Sequence, residues 1–313
     1  MAAFFSQRRK PGWLSILPQR GRVVLVHVVR SPGMPPEIRQ LDSFSAEQGV
    51  VDALSRLSAA GKLAACAATT LLAENDCTLT QMDAPAVPRE ERKEALRWAL
   101  KDVVSYAVES ACVDVLDLPA EGLPPGRQAG VLVVSAAEQA VRACVAPFEL
   151  AGVRLDAVDV PELAQRNISA LLEDDNRGLV LLRIDESGMM LTLTFHGELV
   201  AVRHSEMNSS QLLSEDVAQR ERVVERLVLE LQRSLDNFDR QYSHIPVSKV
   251  VVASSPHVDH LVDALRHGTY VPIVAMDLTG HLDFSTVPEL KAPEMQSRYL
   301  LAIGAALRTG EVA

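Results

Sequence analysis

The most constraining feature of this sequence is that one pattern occurs twice. Near the start, strand-like runs at about 12–17, 22–29 and 36–43 precede a helix, expected from Ser45, whose hydroxyl can cap it, to about Ala60. The strand KLAACAATT comes next. From residue 178, GLVLLRIDESGMMLTLTFHGELVAVRH again reads as three strands joined by tight turns, at DESG and at His196-Gly197. A long helix is expected from about Ser214 to Tyr242, with Val217, Val224, Leu227, Leu231, Leu235 and Phe238 as its apolar line. The buried strand VSKVVVAS, a helix over 257–267, the strand YVPIVAM and a last helix from about Pro293 to Leu307 complete the chain. A meander, a helix and a further strand in each half predict two echoing α/β lobes.

Between the halves, CTLTQMD reads as a strand, and Pro88, Glu90 and Glu91 announce a helix at its electropositive end. Ala95, Trp98, Ala99 and Asp102 fall at helical spacing, so Trp98 is expected to anchor the core of a small subdomain. VDVLDL, a Gly/Pro-rich loop over 121–130, VLVVSA, a helix from about Ala136 to Leu150 and RLDAVDV continue a strand, helix, strand, strand, helix, strand unit. Asp114 and Asp117 alternate with apolar residues and read as a solvated strand face. PELAQRNISALL is the next helix, with Pro161 at its start.

Composition narrows the function classes. The 313 residues are 48% apolar and 23% charged, enough to bury a core in each lobe. With 41 acidic against 31 basic residues the net charge is −10, which repels a nucleic-acid backbone. The four cysteines, Cys66, Cys77, Cys112 and Cys144, are far apart and form no CxxC pair, so neither a zinc site nor a redox motif is expected. The apolar runs are too short to span a bilayer, and the opening MAAFFSQRRKPG lacks the apolar core of a secretory signal, so a cytoplasmic protein is expected. Residues 1–11 read as a flexible tail; its Phe4, Phe5 and Arg-Arg-Lys at 8–10 leave a weak lipid tether as the alternative.

The segments VPREERKEALRWALKD, VLVVSAAEQAVRACVAPFELAGVRLDAVDVPELAQRNISALL, LVLELQRSLDNFDRQYSHIPVSKVVVAS and YLLAIGAALR resemble, in order and spacing, the PilM-like proteins of type IV pilus assembly. Within them the chain looks most like the MshI group of MSHA-pilus biogenesis, over roughly residues 12–309. The resemblance implies an actin-like fold of the FtsA and PilM type, two lobes facing across a cleft with a small α/β subdomain inserted in the first. The expected division is 12–77 first lobe, 78–160 inserted subdomain, 161–177 a helix of the first lobe, and 178–313 second lobe.

Actin-like ATPases carry an Asp-x-Gly in each phosphate hairpin, the carboxylate organising magnesium and the glycine admitting phosphate to the backbone. Overlaying that pattern places Leu17 and Gln19 at the first Asp and Gly, and Val24 where a later lysine would meet phosphate. In the second hairpin, anchored on His196-Gly197-Glu198-Leu199, the Asp falls on Arg183 and the Gly on Asp185. A register slip would make Asp185 the metal carboxylate and Gly188 the flexible turn, at the cost of reversing the strand faces. Where the adenosine side calls for a Gly-rich turn, VVVAS leads through Ser254 and Ser255 to Pro256, which lacks a backbone donor. The expectation is a degenerate nucleotide site at Leu17, Gln19, Arg183, Asp185 and Pro256, with no catalytic residue, no cofactor and no metal.

One other cluster raises metal chemistry. His257, His260, Asp263 and His267 share a short segment, and the last three fall near one helix face; the plainer reading is an exposed polar helix. The functional expectation is therefore a non-catalytic scaffold, peripheral to the inner membrane, that binds the cytoplasmic tail of a PilN/MshJ-like bitopic protein. The resemblance puts the tail's groove between the first lobe and the insert, around 36–43, 62–70 and 78–105, and leaves other platform components and a homodimer open. The alternatives are a slow ATPase switch of the same machine and a GspL-like component of type II secretion.

Overall fold

The computed structural model describes residues 10–121, 123, 130–256, 258 and 260–309. The expected tail residues Phe4, Phe5, Arg8 and Arg9, and most of the loop 122–129, lie outside them. Lys10 and Pro11 are fastened: the Lys10 N–H donates to the Ala65 carbonyl at 2.8 Å, and the Pro11 carbonyl lies 3.0 Å from His27 Nε2.

The first repeat begins with a meander, β1 (Trp13–Gln19), β2 (Arg22–Val29) and β3 (Glu37–Ser45). A two-residue turn at Arg20-Gly21 joins the first pair, with Gly21 at φ +75°. The helix that follows, α1 (Val50–Ala59), starts behind Gly49 rather than behind Ser45, four residues later than expected. Ser45 stays in the sheet, paired with Arg22, and its hydroxyl accepts the Glu47 N–H at 3.4 Å in a local turn. Strand pairing here outweighs the local capping preference. β4 (Ala67–Leu71) then runs parallel to β1.

The chain leaves this sheet for β5 (Cys77–Asp83), α2 (Arg92–Ala99), β6 (Cys112–Asp117) and β7 (Gly130–Ala136). These strands form a separate antiparallel sheet ordered β5-β7-β6. Its core is Leu96, Leu100, Val108, Val131 and Val133. Trp98 is not in it. Leu96 and Leu100 lie one helical turn apart and face the sheet, whereas Trp98 projects from the other side and is 52% exposed. The Asp114 and Asp117 carboxylates bond α2 or its approach, to Lys93 at 2.8 Å and Arg92 at 2.7 Å.

With α3 (Glu138–Leu150) the chain returns, placing Phe148 among Ala53, Leu54 and Leu57 of α1 on the outer face of the first sheet. β8 (Ala157–Asp159) completes that sheet, ordered β3-β2-β1-β4-β8. Of the 78–160 unit, then, only the part up to Ala136 builds the small sheet. α4 (Pro161–Leu172) follows.

The second repeat is β9 (Gly178–Ile184), β10 (Met189–Phe195) and β11 (Glu198–Ser205), then α5 (Ser209–Leu212) and α6 (Val217–Gln241). β12 (Val247–Ser254), α7 (Leu261–Arg266) and β13 (Ile273–Ala275) complete a sheet ordered β11-β10-β9-β12-β13, the same arrangement as the first. The last expected helix is broken at Tyr299 into α8 (Pro293–Arg298) and α9 (Leu300–Ala306).

Alternation along the central strands divides the core. Leu14, Ile16, Val23 and Leu25 face outward to α1 and α3; Val180, Leu182, Met189 and Leu191 face outward to α6 and α7. The inner faces share one core, in which Leu17, Val24 and Val26 of the first sheet join Leu179, Leu181 and Val251 of the second through Ile168 of α4 and Ile303 of α9. α4, expected with the first lobe, packs on β9, β10 and β11, and its Gln165 amide donates to the Leu181 carbonyl at 2.9 Å and Thr192 Oγ1 at 3.0 Å. α9 packs on β1, β2 and β4, its Ala302 carbonyl accepting from Ser15 Oγ at 2.7 Å.

The two helices cross at Gly304, where an added Cβ would stand 2.0 Å from the Ala164 carbonyl oxygen. Gly304→Ala is expected to push the helices apart and cost about 1–3 kcal/mol in denaturant unfolding. In the small sheet, Leu100→Ala should cost about 2–5 kcal/mol. Trp98→Ala should cost about 1 kcal/mol or less in the same measurement, because its ring is half in water.

Candidate functional site: the cleft between the two hairpins

The hairpin turns of β1–β2 and β9–β10 approach each other between the lobes, and an ion pair links Arg20 to Glu186 across the gap. Both side chains are exposed, so the contact marks proximity more than stability.

Deeper in the cleft the charge is buried. Arg183, on central strand β9, is only 3% exposed, and its guanidinium pairs with Asp185 of its own hairpin and with Glu74. Glu74 belongs to a short 3-10 turn, Glu74–Asp76, between β4 and β5, so this pair ties the root of the insert to the second lobe. A buried guanidinium is tolerated only when carboxylates surround it, and here two do. Its Nε has no hydrogen-bond partner among the described residues.

Of the five positions singled out from sequence, Leu17 is buried in the shared inner core beside Val24, Gln19 is exposed at the end of β1 next to the Arg20 turn, and Pro256 is exposed beyond β12, following Ser255, whose N–H donates to the Ile184 carbonyl at 2.8 Å. Arg183 and Asp185 are in direct contact. Asp185 lies in the loop rather than on the strand, since Ile184 pairs with Met189 and Arg183 with Met190. One carboxylate oxygen accepts the Ser187 N–H at 2.8 Å and the Ser187 hydroxyl; the other accepts from Arg183. Gly188, at φ +153°, closes the loop with its Cα facing the Ser205 carbonyl, which an added Cβ would approach to 2.8 Å.

Sequence reasoning missed a second pair beside the first. Glu162, in the opening turn of α4, is buried, and its Oε1 lies 3.1 Å from His204 Nε2 of β11. The hydrogen bond to Glu162 raises the His204 pKa above its ordinary value, against burial, which lowers it. Glu74 adds to the rise and Arg183 opposes it, so the two pairs sense each other. Burial, reinforced by Glu162, Asp76 and Glu74, pushes the neighbouring Cys77 thiol up to about 12 and leaves it protonated. The sequence carries no advance signal for the Glu162–His204 pair, since an acid in the first turn of a helix is ordinary and Glu162 shares its face with Gln165, Arg166 and Ser169.

The histidine segment behaves differently. His257 lies outside the described residues; Asp263 pairs with Arg266 at 2.8 Å, and His267 Nδ1 lies 2.7 Å from the Asp263 carbonyl. Among the described residues, no group of three His, Cys, Asp or Glu side chains is placed to hold a metal ion.

The fold is shared with solved structures. A protein in the PilM-PilN type IV pilus biogenesis complex superposes with a TM-score of 0.75 at 20% identity, over 96% of this chain and 98% of that one. The fold is actin-like. The cytoplasmic domain of EpsL, an inner-membrane component of the type II secretion system of Vibrio cholerae, gives a TM-score of 0.52 at 13% identity, over 96% and 99% of the two chains. No protein-family model matches the sequence, and no curated protein is significantly similar to it. In this actin-like frame, Arg183 lies buried at the end of β9 and Asp185 in the loop of the second hairpin.

The histidine pair makes stability depend on pH. Because the folded-state pKa of His204 is raised, its protonated form stabilises the fold fully below the ordinary histidine pKa, and the gain disappears as pH rises through the folded-state value. The melting temperature of the wild type relative to His204→Gln should therefore be higher at about pH 5.5 than at about pH 8.5. Parallel curves across that range would show that the pair does not titrate with folding.

Proposed function

We propose that this chain is a non-catalytic actin-fold scaffold of a type IV pilus assembly platform, of the MSHA type, peripheral to the inner membrane. Its partner in this reading is the cytoplasmic tail of a PilN/MshJ-like membrane protein. The observation that carries the non-catalytic part is the occupied cleft. Where an actin-like ATPase needs a carboxylate free for magnesium, Arg183 places a buried cation, and Asp185 is held by Arg183 and Ser187. The platform assignment is supported by the likeness to the PilM-PilN structure over nearly the whole of both chains. Among the described residues no helix is long and apolar enough to cross a membrane, which agrees with recruitment through a partner.

A docking region for an extended tail is offered where the insert meets the first lobe. A cavity of about 290 Å³ there is lined by Asp76, Thr78, Val103, Tyr106, Ala137 and neighbouring residues. Trp98 and Val103 are exposed on the same subdomain, and β5 is an edge strand of its sheet. Edge strand, a pocket of mixed polar and apolar lining and acidic Asp76 suit a basic-apolar segment bound in extended form. Thr78, Val103, Val104 and Ser105 of its lining fall in the 78–105 part of the groove expected from sequence, and Asn75, Asp76, Tyr106, Ala137 and Ala140 fall outside it; the 36–43 segment instead forms edge strand β3, on the first sheet.

Two titrations of the full chain test the reading. A peptide copying the PilN-like tail should bind in isothermal titration, and Val103→Asp should weaken it several-fold without moving the melting temperature; no heat at high peptide concentration overturns the partner assignment. Magnesium-ATP at about 1 mM should leave the melting temperature unchanged, and a saturable rise would favour the ATPase switch.

A further inference from the structure

The first sheet has one end turned away from the cleft. β1, β4 and β8 start there and β2 finishes there, whereas the Arg20-Gly21 turn lies at the opposite end. Four segments meet on it: Lys10 to Gly12 leading into β1, and the connections over 30–36, 60–66 and 151–156 that lead into β3, β4 and β8.

Their charge is opposite to that of the chain. The four segments carry Lys10, Arg30, Lys62 and Arg154, all exposed, against the single acid Asp156, in a protein whose net charge is −10. Asp156 is turned inward: its side chain is 3% exposed, accepts the Ala68 N–H at 3.0 Å and lies 3.3 Å from Arg154 Nε. Arg30 donates to the Leu307 carbonyl at 2.8 Å, a dipole rather than a charge, and neither Lys10 nor Lys62 has an ion pair among the described residues. The bordering acids are engaged as well. Glu37 pairs with Arg39 at 2.9 Å, Glu149 acts on Arg142 two turns back along α3, and the Asp283 carboxylate, where the second lobe pairs with β3, accepts the Ser285 N–H at 2.8 Å.

Apolar side chains stand out of the same end. Leu150, the last residue of α3, and Met34, in the connection to β3, are 76% and 68% exposed, two of the three highest values for large apolar side chains among the described residues. Residues 1–9 join at the middle of this end, because β1 is the central strand and the Lys10 N–H is held by the Ala65 carbonyl. That stretch adds Phe4, Phe5, Arg8 and Arg9 and holds no acid. Phe5 is five residues from Lys10, so it reaches no further than about 18 Å from that anchor.

We infer that this end of the first sheet docks directly on an anionic phospholipid surface, with Lys10, Arg30, Lys62 and Arg154 facing the headgroups and Phe4, Phe5, Met34 and Leu150 entering the interface. Basic side chains gain from a negative leaflet and apolar ones from leaving water, and stable anchoring takes both signals together. The acidic remainder of the chain is repelled by the same leaflet, which orients the molecule with this end toward it. The inference goes beyond the platform reading and does not rest on it: the contact needs no protein partner, and the surface shares no residue with the cavity at the insert.

The full chain should be co-sedimented with phosphatidylglycerol-containing vesicles and with phosphatidylcholine vesicles, at low and at high potassium chloride. It should be retained on the first and not on the second, and high salt should release it. K10E/K62E should lower the partition coefficient about tenfold or more, and F4A/F5A several-fold. K101E/R203E makes the same change of charge at exposed positions of the insert and the second lobe and should bind as the wild type does. Unchanged melting temperatures control for folding, and because the vesicles carry no protein the result is read independently of the peptide titration. Absence of retention on phosphatidylglycerol, equal retention on both vesicle types, undiminished binding by K10E/K62E or F4A/F5A, or an equal loss in K101E/R203E overturns the assignment.

Discussion

A single buried cation decides what the centre of this molecule can be. Arg183 sits on the middle strand of the second sheet with almost no access to water, and leaving it unpaired would cost several kcal/mol, about as much as a whole domain's margin of stability. It is compensated from two directions, by Asp185 in its own hairpin and by Glu74 at the root of the insert. The second hairpin loop, the entry to the small subdomain and the cleft wall are thus held to one charge. The same side chain lowers the pKa of the neighbouring His204, whereas Glu162 and Glu74 raise it, so the cleft is a coupled network rather than a set of separate contacts.

Around that network the architecture follows from alternation and close approach. Each central strand is apolar on both faces because each sheet is covered on both, by its own helices outside and by the shared core inside. The shared core is closed by α4 and α9, whose contact at Gly304 admits no Cβ. Polar side chains within it bond main-chain carbonyls and hydroxyls, as the Gln165 amide does with Leu181 and Thr192, and Asn167 with the Gly304 carbonyl at 2.9 Å.

Much of the fold was legible in the sequence because hydrophobic period and turn chemistry agree through most of it. The duplicated meander, both tight turns and the actin-like arrangement follow from those local signals and from the quoted resemblance. Where expectation failed, a tertiary constraint had overridden a local one. Ser45 is a good cap but is held in the ladder opposite Arg22; Trp98 lies at helical spacing with apolar residues but on the opposite side from Leu96 and Leu100. The candidate site was legible only in part. That the second hairpin carries Arg183 and Asp185 side by side in its strand and loop can be read from the sequence. That Arg183 pairs with Glu74, 109 positions away, cannot, nor can the pairing of Glu162 with His204, since neither contact leaves a periodic trace.

The exchange of α4 and α9 carries a consequence for how such a chain must be assembled. Each half of the sequence ends in a helix that covers the other half's sheet, so cutting near residue 177 would yield two fragments, each with a bare inner face and a helix lacking its seat. The lobes are therefore not autonomous folding units joined by a hinge; each is the other's missing layer. The arrangement is the covalent equivalent of an arm-exchanged pair, in which two like units trade their last helix within one polypeptide. Covalent linkage keeps the two partners at a fixed ratio and in permanent reach, and it leaves the two units free to differ. One of them here carries a whole extra subdomain between its fourth and fifth strands while the other has the plain connection.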